Sequence, residues 1–145
     1  MRISPAAPSD LEAIVSLLNT VDLPHEDLSD ASLRHFRVLR RDGGVGGVVG
    51  IEPAGAAALL RSLAVRPADQ GGGAGRALVQ DVEAYARAQG IDTLYLLTTT
   101  AAGFFAALGY ECSSREAVPP AIAQTDEFDR LCPATATCMQ KSLIS

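Results

Sequence analysis

No run in these 145 residues approaches the roughly 20 consecutive apolar positions that a membrane-spanning helix needs, although 48% of the chain is hydrophobic. The opening residues Met1 to Pro5 lack the apolar core of a signal peptide, so a cytoplasmic location is the default expectation. A basic excess is also missing: the formal net charge of −5 leaves too little positive surface for a dedicated nucleic-acid protein. The three cysteines, Cys112, Cys132 and Cys138, form no C-x-x-C unit and cannot all pair within the chain. They read as reduced, small hydrophobic residues, with three thiolates around a soft ion such as trivalent arsenic as the sharper alternative; no metal centre is expected. Lysine is absent before Lys141. A length of 145 residues suits one domain spanning 1–145.

What is present is a periodic alternation of helix and strand signals. Ser9-Asp10-Leu11-Glu12 has the form of a capping box, and Leu11, Ile14, Val15 and Leu18 follow at helical spacing, predicting a helix over 9–20. The N-terminus is expected to run straight into that helix. A Pro-broken link from Val21 leads to an expected short helix over 26–33. His35 to Leu39 and Val45 to Ile51 flank an Asp42-Gly43 turn and predict a hairpin. Residues 57–65 predict a strand closed by Pro67, and Leu78, Val82, Tyr85 and Ala86 mark one face of a helix stopped by Gly90. Thr93 to Thr100 reads as a strand buried on both faces. A short helix over 101–108 ends at Gly109. Tyr110 to Ser113 is an expected strand, Pro119-Pro120 opens a loop or helix to about Leu131, and a closing strand is expected near 135–141. The fold class is therefore α/β, a mixed sheet with helices on both faces.

Between the strand over 57–65 and the long helix lies Arg66-Pro67-Ala68-Asp69-Gln70-Gly71-Gly72-Gly73-Ala74-Gly75-Arg76, with four glycines. Ordering glycine is entropically expensive, so this stretch calls for a function. A glycine loop that enters a helix presents backbone N–H groups at the positive end of the helix dipole, where an anion is stabilised. The Walker form requires Gly-Lys-[Ser/Thr], which the missing lysine excludes. The dinucleotide form G-x-G-x-x-G fails as well: starting at Gly71 it places Arg76 at the last glycine, and starting at Gly73 it places Leu78 there.

Gln70-x-x-Gly73-x-Gly75 resembles the pyrophosphate-binding element of GNAT acyltransferases, and the segment from Leu59 to Tyr110 resembles the GNAT core in the order of its elements. The stretches "ALLRSLAVRP", "LYLLTTTAAGFFAALGY" and "VPPAIAQTDEFDRLCPATATCMQKSL" are similar to GNAT proteins associated with arsenic resistance. "LLTTTAAGFF" is also similar to N-acetylglutamate synthase domains. The resemblance implies the GNAT acyl-CoA N-acyltransferase fold and transfer of acetyl from acetyl-CoA, as co-substrate, to the amine of a small amino-acid-like or acidic molecule. It further implies that Leu63, Ala64 and Val65 bind the pantetheine arm through the main chain. Gln70, Gly71, Gly72, Gly73, Ala74, Gly75 and Arg76 would hold the pyrophosphate, and Thr99 and Phe105 would lie against the cofactor. Many proteins of this fold dimerise, which makes a homodimer an expectation.

The chain departs from the family at its acid. Many GNAT enzymes place a tyrosine where this sequence has Phe105, and an asparagine where it has Thr98-Thr99-Thr100. Protonation of the leaving thiolate would then fall to water, Thr98, Thr99 or another group, and Thr100 is an alternative N-cap for the short helix. A catalytically weak GNAT-fold module that senses acyl-CoA is the competing reading. On the acceptor side Arg61 interrupts an apolar strand and suits a carboxylate of the substrate, or else is a surface-facing strand residue paired with an acid. Glu52 is the expected relay for the amine proton, with His25 and His35 as further bases.

Overall fold

The computed structural model describes residues 2–41, 44–125 and 136–144. A seven-stranded sheet runs through it in the order β1-β2-β3-β4-β5-β7-β6. The strands are β1 (Arg2–Pro5), β2 (Phe36–Arg41), β3 (Gly44–Ala54), β4 (Ala57–Val65), β5 (Thr93–Thr98), β6 (Glu111–Cys112) and β7 (Thr137–Ser142). Among the described residues only the β4–β5 pairing is parallel; its crossover carries the glycine loop and the longest helix. The helices are α1 (Leu11–Thr20), α2 (Ala74–Ala88), α3 (Ala102–Ala107) and α4 (Pro120–Ala123). Among the described residues no helix is long and apolar enough to cross a membrane.

Both faces of the sheet are covered, as expected of a mixed sheet. On one face Leu78, Val79, Val82 and Ala86 of α2 and Phe105 of α3 pack against Leu39, Val49, Ile51, Leu60, Leu94, Leu96 and Met139. On the other, Ile14, Leu17 and Leu18 of α1 pack against Phe36, Val38, Val48 and Ala64. Ile122 of α4 covers Leu59 and Cys138 on that same side. Gly50 lets β3 pass beneath Phe36: a Cβ there would lie 2.3 Å from the ring.

Several expectations are corrected. The N-terminus forms β1, which pairs with Arg37 to Arg40 of β2; four residues ending in proline carry too little pattern to be read as a strand. The Ser9 capping box does not form. Asp10 accepts the Ala7 N–H at 2.7 Å instead, and α1 starts at Leu11. The helix expected over 26–33 is a series of turns leading to a single 3-10 turn, Ser32–His35. β5 ends at Thr98 and alternates between buried and half-buried residues, so only one of its faces is sealed. Thr100 does not cap α3; the Thr98 hydroxyl accepts the Ala101 N–H at 3.0 Å. The Asp42-Gly43 turn, Cys132 and the tail helix expected beyond residue 125 lie outside the described residues. Cys112 is exposed and Cys138 buried, both as free thiols.

Two irregularities in β4 shape the site. First, Val48 pairs with Ala64 but Gly50 with Arg61, so β4 carries one extra residue here. Such a bulge re-phases a strand: Leu60, Leu63 and Val65 meet the α2 face, whereas Ala64 turns to α1. Second, the β4–β5 ladder covers only Ala57 to Leu59 against Thr93 to Tyr95. Beyond it the two parallel strands separate.

Candidate active site

The separation of β4 from β5 opens a cleft of about 640 Å³. Leu60 to Val65 line one wall and Leu96 to Ala101 the other, with Phe105 and Gln70 also on the lining. Asn19, Asp22, His25 and Glu26, from the end of α1 and the turns after it, contribute polar groups at another side. Beyond Leu59, β4 has no ladder partner toward β5 among the described residues, so main-chain groups of this edge, apart from the Val65 carbonyl that Gln70 engages, are available to an extended ligand.

The glycine loop reaches this cleft at Gln70, whose side-chain amide donates to the Val65 carbonyl at 2.9 Å and ties the loop back to the strand. Gly71 and Gly73 adopt φ of 85° and 84°, a left-handed conformation that costs other residues steric energy. Gly73 is the N-cap of α2. The first-turn N–H groups of a helix have no intrahelical acceptor and carry the positive end of its dipole. A Cβ on Gly71, Gly72 or Gly73 would meet nothing within 4 Å, so the loop faces open space. Ala74 is buried as the anchor of the turn, Gly75 backs onto Phe104, and Arg76 is exposed on the first turn. These features fit an anionic group such as a pyrophosphate.

Arg61 is 3% exposed. Its guanidinium, expected to grip a substrate carboxylate, is engaged by carboxylates of the protein: Nη2 donates to Asp27 at 2.8 Å, and Nη1 donates to both Asp27 and Glu52. Nε donates to Ser62 Oγ at 2.9 Å. The alternative expectation is met in part: Arg61 is paired with acids of the protein, but it is buried rather than surface-facing. Glu52 is held in this cluster and lines a second cavity of about 420 Å³ together with Asp27 and His35, whereas Arg61 lines the main cleft. The ion-pair cluster stands between the two cavities. His25 lines the main cleft; His35 does not, and its Nδ1 shares a 2.8 Å hydrogen bond with the Tyr85 hydroxyl.

Phe105 is 5% exposed and packs edge-on against Tyr110, with ring centroids 5.4 Å apart. Tyr110, the nearest phenol in sequence, does not line the cleft. It donates to Glu83 at 2.9 Å, and burial, followed by the Glu83 charge, holds its hydroxyl well above the usual phenol range. Thr98 and Thr99 line the cleft, with Thr98 accepting from Ala101 as described. Sequence reasoning missed Ser62 and Asp27. An arginine in an apolar strand calls for an acid, but nothing local picks out Asp27, 34 positions away, and nothing in the sequence marks the backbone turn at Ser62.

Residues 32–112 match the family model of the acetyltransferase (GNAT) domain, and the chain belongs to that family. Its curated relatives include the amino-acid acetyltransferase of Ectopseudomonas mendocina, 34% identical over 106 residues that cover 72% of this chain and 24% of that protein. The amino-acid acetyltransferase of Pseudomonas fluorescens is 44% identical over 71 residues, 49% of this chain and 16% of that protein. The chain thus spans no more than about a quarter of the length of these relatives. Among solved structures, N-acetylglutamate synthase from Neisseria gonorrhoeae, complexed with coenzyme A and N-acetyl-glutamate, superposes with a TM-score of 0.87 at 22% identity, over 99% of this chain and 35% of that one. Rv2747 from Mycobacterium tuberculosis, in complex with CoA, gives 0.84 at 22% identity over 99% and 100%. These likenesses show the fold.

Proposed function

We propose that the protein is an N-acetyltransferase that moves the acetyl group of acetyl-CoA to the amine of a small, amino-acid-like or acidic molecule. One observation carries the reading: the glycine loop that enters α2 reaches, at Gln70, the cleft between the separated ends of β4 and β5. In this reading the amides from Gly71 to Arg76 hold the pyrophosphate, and the free edge of Leu63, Ala64 and Val65 binds the pantetheine arm as an added strand. The thioester is directed past Thr98, Thr99 and Phe105 into the cleft. Kinship with amino-acid acetyltransferases supports the acceptor class.

Transfer requires a neutral amine. His25 lines the cleft and Glu52 does not, so His25 is the better placed of the two to take that proton, with Glu52 acting through Arg61 to hold the site in shape. The resemblance to arsenic-resistance-associated members adds amino-arsenic and amino-phosphinic analogues to the acceptors worth testing. The experiment is a steady-state measurement of free thiol released from acetyl-CoA across amino acids and these analogues. Saturable turnover on an amine carrying an acidic group is expected. Tight CoA binding with no turnover on any amine would contradict the reading and favour an acyl-CoA-binding module.

A further inference from the structure

Two non-glycine residues among those described have positive φ, Asp22 at 60° and Ser62 at 61°, and both line the main cleft. Backbone held in this region concentrates where the geometry serves a site. Ser62 sits in the β4 bulge, 5% exposed, and its oxygen accepts a hydrogen bond from Arg61 Nε at 2.9 Å. Arg61 is in turn fixed on its other nitrogens by Asp27 and Glu52. Among the described residues that bond is the only one Ser62 Oγ makes. An Nε–H occupies one lone pair of the hydroxyl and leaves the O–H as a donor. Ser62 lines the main cleft. A serine more than nine-tenths buried, in a conformation serine does not prefer, thus carries a donor with no acceptor among the described residues. A cationic partner on its oxygen also makes that donor stronger.

Phe105, where a hydroxyl-bearing residue would serve as the acid, has no proton to give. We propose that Ser62 takes over the stabilising half of the missing acid's role, its hydroxyl donating a hydrogen bond to the negative charge that develops across the thioester as acetyl is transferred. This rests on the acetyl-transfer reading above. The amine nitrogen forms its bond to the acetyl carbon and the carbonyl π pair moves to oxygen. When that pair returns, the carbon–sulfur bond breaks and its electrons remain on sulfur. Ser62 keeps its own proton throughout; the amine proton leaves through the base, and water supplies the proton that turns thiolate into thiol. Arg61 is a positioning residue that fixes the serine oxygen.

Ser62→Gly removes the hydroxyl while keeping the backbone, because glycine adopts positive φ without steric cost; it also takes the acceptor from Arg61 Nε, an effect read separately as a change in the urea midpoint. The variant should stay folded and keep its KM for acetyl-CoA within about twofold, while kcat falls about 100-fold, as for loss of one preorganised donor. Should Ser62→Gly be recovered unfolded, Ser62→Cys reads the same quantity with a similar-sized but poorer donor, and an intermediate kcat is expected. An active wild type with kcat unchanged in the folded variant overturns this assignment and leaves the acetyltransferase reading standing. A wild type that releases no thiol with any amine in the panel overturns both.

Discussion

The start and the middle of α2 solve opposite problems. At its start, the first-turn amides find no acceptor among the described residues, and Gly71 to Gly73 leave open space where side chains would be. Two and a half turns later Glu83 is buried and satisfied on every side: Tyr110 donates at 2.9 Å, Lys141 donates to both carboxylate oxygens at 3.1 Å and to the Leu108 carbonyl at 2.8 Å. Lys141 also lies 5.5 Å from the Tyr110 ring centre. A region finished by the protein's own atoms serves the fold, whereas one left unfinished is open to a ligand. The only lysine of the chain is used for the first purpose.

The comparison can be broken from either side. Lys141→Met strands the Glu83 carboxylate in the core and should lower unfolding free energy by about 3 kcal/mol, measured by urea denaturation, because removing one partner of a buried ion pair leaves an uncompensated charge. CoA affinity of the remaining folded protein should be unchanged. Gly73→Val acts in the opposite sense. It forces a β-branched residue to a φ of 84° at the cradle, so CoA affinity by calorimetry should fall at least tenfold, about 1.4 kcal/mol, with a smaller stability loss of about 1–2 kcal/mol. Equal losses of stability and binding in both variants would erase the distinction.

The smallest effect is one of pH and lies away from both regions. Burial, with the Arg34 charge second, holds the His35 imidazole below its usual 6.5. As pH drops through about 6.5 the unfolded chain takes up this proton first, so stability declines until the folded imidazole protonates as well. His35→Asn should flatten the urea midpoint between pH 7.5 and 5.5. Asp10 acts in a separate window: hydrogen bonding to Arg40 holds its carboxyl below the usual 3.8, so its contribution is lost only as pH falls further through that range.

The unfinished region was the legible one. Glycine spacing, Pro67 and the helical face of Leu78, Val82 and Ala86 are local signals, and β4 (Ala57–Val65) has the bounds they predicted. The satisfied regions were hidden because their logic is long-range. Arg61 meets Asp27 across 34 positions and Lys141 meets Glu83 across 58, separations that no local pattern records. Glu83 reads as one more polar residue on an amphipathic helix. The bulge at Ser62 depends on a backbone angle that serine does not advertise, and β1 depends on a partner 36 residues away.

The claim that the glycine loop is a pyrophosphate cradle is tested most directly by comparing CoA with pantetheine, which lacks the pyrophosphate, as ligands in calorimetric titrations of the wild type and Gly73→Val. The account predicts that CoA binds the wild type at least about 100-fold more tightly than pantetheine, a difference of about 2.7 kcal/mol, and that Gly73→Val removes most of this advantage while leaving pantetheine binding unchanged. Equal affinity of the wild type for the two ligands would contradict it.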